Sequence, residues 1–193
     1  MKNKKWMPLI IIGAIVLVLV MIVSSLISGY NALVDKQAAV EEKAAVIQTQ
    51  LQRRADLIPN FVATVQGYAD HEEQTYTAVT EARNALGNAQ GMEQQAAAEA
   101  QLDSAIDIWV NAVTENYPEL KANTNFIALQ DELAGTENRI ATARNDYNEV
   151  AKDYNTSIRK FPASLTAAIF GFEKAEYFEA QAGSENAPTV EFN

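Results

Sequence analysis

The chain opens on an unbroken apolar run. From Trp6 to Ile27 no residue is charged, and from Pro8 to Val23 none carries a polar side chain. A helix of that length is roughly 33 Å, enough to cross the hydrocarbon core of a bilayer. The competing reading is a cleaved signal peptide, whose apolar region is usually about 7 to 15 residues. This run is longer, and Val23-Ser24-Ser25-Leu26-Ile27-Ser28-Gly29 is a poor small-x-small cleavage site. Trp6 and Tyr30 stand at its two ends, where amphipathic rings prefer the interface. Lys2, Lys4 and Lys5 crowd the amino-terminal flank, whereas Lys36 and Lys43 are mixed with Asp35, Glu41 and Glu42 on the other. The positive-inside rule puts the amino terminus in the cytoplasm and the rest of the chain across the membrane.

Beyond the run the period changes. Leu33, Gln37, Val40, Ala44, Ile47, Leu51, Arg54 and Ile58 alternate steps of three and four, a heptad seam of coiled-coil type. No Gly or Pro lies between Tyr30 and Ile58, so one helix is expected to run straight out of the bilayer. Pro59 is expected to kink it, Gly67 is a second weak point, and apolar spacing carries on through Tyr76, Val79, Ala82 and Leu86. Gly87 to Gly91 is the first convincing break. A second helix then places Met92, Ala96, Glu99, Leu102, Ile106, Trp109 and Val113 on one side, and Tyr117-Pro118 stops it. In the third helix Phe126, Leu133, Ile140, Tyr147, Tyr154 and Phe161 recur every seven residues, with Asn123 or Thr124 as its cap. Pro162 opens a short fourth helix. The aromatics from Phe161 to Phe178 read as an amphipathic cap closing the bundle or, with Glu173, Glu176 and Glu179 weighing against it, a membrane-dipping element. The fold class is therefore all-α: a transmembrane helix continuous with the long helix of an antiparallel four-helix bundle. The boundaries expected are 1–28 for tip and anchor, 29–182 for the bundle and 183–193 for an extended tail.

Composition narrows the function. Of 193 residues none is Cys and one is His, which excludes disulfides, thiolate metal sites and two-histidine centres. Setting aside the three anchor lysines leaves 12 basic and 25 acidic residues, a net charge of −13. Such a surface repels phosphate backbones, so nucleic acid is not an expected partner.

Candidate chemistry is thin. In His71-Glu72-Glu73 neither carboxylate shares a helix face with the imidazole, so a solvated histidine is the expectation. There is no phosphate-cradling glycine loop and no Gly-x-Ser-x-Gly elbow. No cofactor, metal or small-molecule substrate is expected, and no enzyme. Arg54 is more informative, because a charge on the seam needs a partner. Asp56, Glu137 and Asp146 are the expected candidates. With Arg53, Arg83 and Arg144 they form a set of structural ion-pair residues.

Longer motifs carry a resemblance. Arg53-Arg54-Ala55-Asp56-Leu57-Ile58-Pro59-Asn60, Gly67-Tyr68-Ala69 and Ala82-Arg83 resemble the first block of the LemA family. Glu115-Asn116-Tyr117-Pro118-Glu119-Leu120 with Phe126, Leu133 and Glu137 is similar to its second block. Arg144, Tyr147-Asn148, Tyr154-Asn155, Phe161-Pro162, Phe170-Gly171-Phe172, Ala187-Pro188, Val190 and Phe192 resemble its third. The stretch from Ala44 to Gln52 lacks the tryptophan common in that family. The resemblance implies a bacterial single-pass membrane protein with an antiparallel helical bundle and no catalytic residues to carry over. With the lysine asymmetry, the expected place is the inner membrane with the bundle on the periplasmic side.

A length argument adds self-association. A first helix continuing past Gly67 to Leu86 would reach about 85 Å beyond the membrane, against about 39 Å for the second. The seam of Leu33, Val40, Ala44, Ile47 and Leu51 would then lack a partner in its own chain and would pair with neighbouring copies. That predicts a homo-oligomeric scaffold organising membrane or envelope partners. The alternative is a monomeric adaptor presenting its acidic bundle to an envelope protein such as a protease.

Overall fold

A computed structural model describes residues 7–67 and 73–178. Its elements are α1 (Met7–Gln66), α2 (Glu73–Asn88), α3 (Gly91–Asn116), a 3-10 turn (Pro118–Ala122), α4 (Thr124–Ser157) and α5 (Ala163–Phe170). No strand occurs among the described residues. The all-α expectation holds, and most boundaries fall at the punctuation seen in the sequence. Gly91 takes a φ of 78° where α3 begins, a conformation that costs glycine least. Asn123 caps α4 by accepting from the N–H groups of Asn125 (2.9 Å) and Phe126 (3.0 Å). Residues 179–193 and His71-Glu72, on which the tail and histidine expectations rest, lie outside the described residues.

The helices group into two compact units, one within residues 1–42 and 149–175, the other within 43–148 and 176–193. In the first, Leu33 and Val40 of α1 and Ala151, Tyr154 and Asn155 of α4 are buried. Lys36 of α1 pairs there with Asp153 of α4.

The second unit is a four-helix bundle. Lys43 pairs with Asp146 and Arg53 with Glu132, so α4 runs antiparallel to α1. Arg54 meets Glu99 and Phe61 meets Trp109, so α3 runs parallel to it. Phe61 is fully buried, stacked on Phe126 at 5.1 Å and edge-on to Trp109 at 5.2 Å. Leu102, Val113, Leu120 and Ile140 fill the layers around it.

One expectation fails here, and much depends on it. The first helix does not continue to Leu86. It ends at Gln66, and α2 starts afresh at Glu73. Arg83 and Ala55, in hydrogen-bond contact, lie at nearly equal distances from those two ends, so α2 folds back along α1. An apolar period that resumes in phase after a break cannot distinguish one long helix from two packed against each other.

Candidate functional site

The amino-terminal part of α1 is exposed along its length, from Leu9 through Val23 to Ile27. It is the one described helix long and apolar enough to cross a membrane, and it has the surface of a lipid-facing anchor.

The seam is a different matter. Leu33, Val40, Ile47 and Leu51 are buried within the single chain, and Ala44 is half-buried. The expected self-association stripe is therefore already covered. The physical reason is the fold-back at the end of α1 together with the length of α4, whose 34 residues (about 51 Å) supply an intramolecular partner. A side chain packed in its own core has no apolar area left to bury against another copy.

Pro59 lies inside α1 without ending it. A proline has no N–H, so the carbonyl four residues back loses its helical donor. That carbonyl belongs to Ala55, and Arg83 Nε donates to it at 2.7 Å. Arg83 was expected among ion-pair residues. Its observed contact is instead with the backbone group that Pro59 leaves unmatched, a pairing that joins two motifs 28 positions apart.

The charged cluster of the second unit is built on Glu99. One of its oxygens accepts from Arg54 Nη1 at 3.3 Å and the other pairs with Arg144. Arg54 and Glu99 side chains are each only 4% exposed, so this is a desolvated pair. Arg54 also pairs with Asp103 and lies 3.9 Å from the exposed Glu137. Arg144 additionally covers the Phe178 ring at 5.1 Å. Burial pushes Asp103 from 3.8 up to about 6, outweighing the pull of Arg54, with Glu99, Glu137 and Asp107 acting in the same direction as burial.

The structure thus unites Arg54, Glu137 and Arg144, but not the whole expected set. Asp146 serves Lys43, Asp56 accepts from Gln52 at 2.8 Å, and Arg53 pairs with Glu132 on the surface. Glu99 and Asp103 were missed as ion-pair partners. Glu99 fell on the apolar face of its helix, and a carboxylate at a core position is the signal that could have revealed it. A cleft of about 400 Å³ opens beside this cluster, lined by Arg54, Asp103, Asp107, Asp131 and Glu137 around Phe61 and Leu133. Among the described residues no group of acidic or histidine side chains converges as a metal site.

A second device uses Tyr-Asn pairs on α4. In the first unit Asn155 donates to Ala175 O and accepts from Ala175 N–H, both at 2.8 Å, while Tyr154 OH donates to Glu173 O at 2.8 Å. In the second unit Asn148 holds Phe178 in the same two-way manner at 2.8 and 2.9 Å, and Tyr147 OH donates to Glu176 O at 3.0 Å. Extended chain after α5 is thereby pinned by side chains that mimic a strand partner. Burial, then the carboxylates of Glu176 for Tyr147 and of Glu173 and Glu41 for Tyr154, raise both phenols, so they stay protonated donors at neutral pH.

The LemA family profile matches residues 43–192. The chain belongs to the LemA family. The matched span begins beyond the apolar stretch and contains every residue of the Glu99 cluster and both Tyr-Asn pairs. Among curated relatives, Magnetosome protein MamQ 2 of Paramagnetospirillum magneticum is 27% identical over 190 residues, covering 85% of this chain and 70% of its own length. Magnetosome protein MamQ of Magnetospirillum gryphiswaldense is 25% identical over 84% of this chain and 69% of its own. Protein LemA of Metamycoplasma hominis is 25% identical over 78% of this chain and 68% of its own.

Proposed function

We propose that this LemA-family chain is a non-enzymatic, single-pass membrane adaptor that presents its acidic helical bundle to a basic protein partner in the bacterial envelope. The observation that carries this reading is the covered seam: Leu33, Val40, Ile47 and Leu51 of α1 are buried within the chain. The chain beyond the anchor is strongly acidic, a net of −13 once the three anchor lysines are set aside. The carboxylates lining the cleft would complement a basic surface, and electrostatic complementarity confers specificity and a fast on-rate. On the lysine asymmetry, the amino terminus is cytoplasmic and the bundle periplasmic, in the inner membrane.

The second reading is a scaffold that organises membrane by self-association. It draws support from the relatives named as magnetosome proteins, and it would need the outer faces of the bundle rather than the seam. A photo-crosslinking residue at Asp107 or Asp131, placed in intact cells, separates the two. Adducts with one other protein support the adaptor, homotypic adducts support the scaffold, and the absence of any adduct refutes the adaptor. Orientation is tested by cysteine introduced at Gln94, which reacts with a membrane-impermeant maleimide from outside only if the bundle is periplasmic.

A further inference from the structure

The short helix α5 has its apolar groups on the wrong side for a bundle cap. Its buried residues are the small Thr166 and Ala167, while Leu165 is 52% exposed, Ile169 65% and Phe170 54%, and Phe161 just before it is 80% exposed. Four large apolar side chains are thus left outward within ten positions. A patch of that kind on a folded domain marks a binding surface.

Its place within the first unit says what covers it. Thr166 packs so closely on Gly29 that its Oγ1 lies 3.0 Å from where a Cβ on that glycine would stand. Tyr30 places its ring 4.7 Å from Phe170 and 5.6 Å from Phe172. Gly171, at a φ of 74°, turns the chain so that Phe172 N–H reaches Ala167 O at 3.0 Å, which sets that ring against Tyr30. Gly29 and Tyr30 follow Ile27 directly, only about 3 to 5 Å further along α1. The exposed apolar patch of α5 therefore lies within about one helical turn of the apolar, exposed stretch of the anchor. Charge agrees with this. From Tyr154 to Phe172 there is no carboxylate in an otherwise acidic chain, and the only charges are the exposed Arg159 and Lys160 immediately before Phe161.

We infer that α5, with Phe161, is a second membrane contact that lies in the headgroup and upper acyl region of the leaflet from which the bundle emerges. Phe161, Leu165, Ile169 and Phe170 enter the acyl boundary, and Arg159 and Lys160 meet anionic headgroup phosphates. An interfacial helix needs this division between an apolar face and flanking cations. The inference rests on the reading that the apolar stretch of α1 spans the membrane.

The test uses the full chain, which has no native cysteine to remove. Leu165→Cys and Ile169→Cys, labelled with the fluorophore NBD, are reconstituted in phosphatidylethanolamine–phosphatidylglycerol vesicles. Val18→Cys serves as the control within the span and Asn138→Cys as the control in water. Labels at 165 and 169 are expected to shift to the blue, lose intensity with doxyl-labelled lipid and resist aqueous iodide, as the Val18→Cys label does. Labels that follow Asn138→Cys while Val18→Cys is quenched by doxyl lipid overturn the inference and leave the span intact. If Val18→Cys itself behaves as a water control, the span reading falls. Labels shielded from both quenchers would mean that protein covers the patch, which also overturns a lipid contact.

Discussion

Arg83 offers a sharp test of how this bundle tolerates a proline in its longest helix. Arg83→Met keeps the apolar stem and removes the Nε donor that meets Ala55 O at 2.7 Å. Ala55 is buried and has no helical donor, because the residue four positions on is Pro59. A hydrogen bond from a charged donor contributes about 1.5–3 kcal/mol net, and leaving a buried carbonyl unmatched costs about 1–3 kcal/mol. Arg83 is only part-buried, so the expected loss is in the lower half of that range, about 2 kcal/mol. For a chain of this size that corresponds to roughly 4–8 °C in Tm. Pro59→Ala restores the N–H and gives Ala55 O its helical partner. In the Pro59→Ala background Arg83→Met should therefore cost less than about 1 kcal/mol, a coupling of at least about 1 kcal/mol between residues far apart in sequence. The assay is thermal and denaturant unfolding of the detergent-solubilised chain, followed by circular dichroism, for the wild type, both single variants and the double variant. Equal costs in the two backgrounds would refute the account, since Arg83 would then stabilise by some means other than replacing the missing donor.

Other contacts yield further expectations. Glu99→Leu leaves the guanidinium of Arg54 desolvated with Asp103 as its close partner and deprives Arg144 of its carboxylate, so stability should fall by about 3–5 kcal/mol. Replacing Arg54, Glu99 and Arg144 together by apolar residues should recover most of that loss, and both are read from chemical unfolding. Asp103 has a folded-state value raised to about 6 from 3.8, so the native state binds the extra proton between those values. Its contribution is unfavourable above about pH 6 and is relieved as pH falls toward about 4. The Tm of the wild type relative to Asp103→Asn should rise over that interval and stay flat above pH 7. Asn155→Ala breaks both bonds to the Ala175 backbone, a loss of about 2–3 kcal/mol, seen as faster amide exchange around Ala175. Leu33→Cys and Val40→Cys should form no intermolecular disulfide in intact membranes, because both positions are buried within the chain.

Much of the architecture was legible from one dimension. The apolar run, the heptad of α4 from Phe126 to Tyr154, the cap at Asn123 and the stop at Tyr117-Pro118 are all local matters of helix geometry and backbone chemistry, and each stands where its residues imply. The heptad's expected last member, Phe161, does not, since α4 ends at Ser157 and Phe161 is exposed. That Arg54 needed a partner was legible as well, because a seam position is buried in any bundle the pattern can form. What remained undecided were relations between segments. Only the packed chain determined that α2 folds back on α1, so that the seam is covered at home rather than by a neighbour. It chose Glu99 and Asp103 for Arg54, gave Asp146 to Lys43, and turned the large side chains of α5 outward beside Gly29. The reason is physical: periodicity reports which face of a helix avoids water, whereas the identity of the covering surface depends on where the chain turns and on which helix direction then brings complementary groups together.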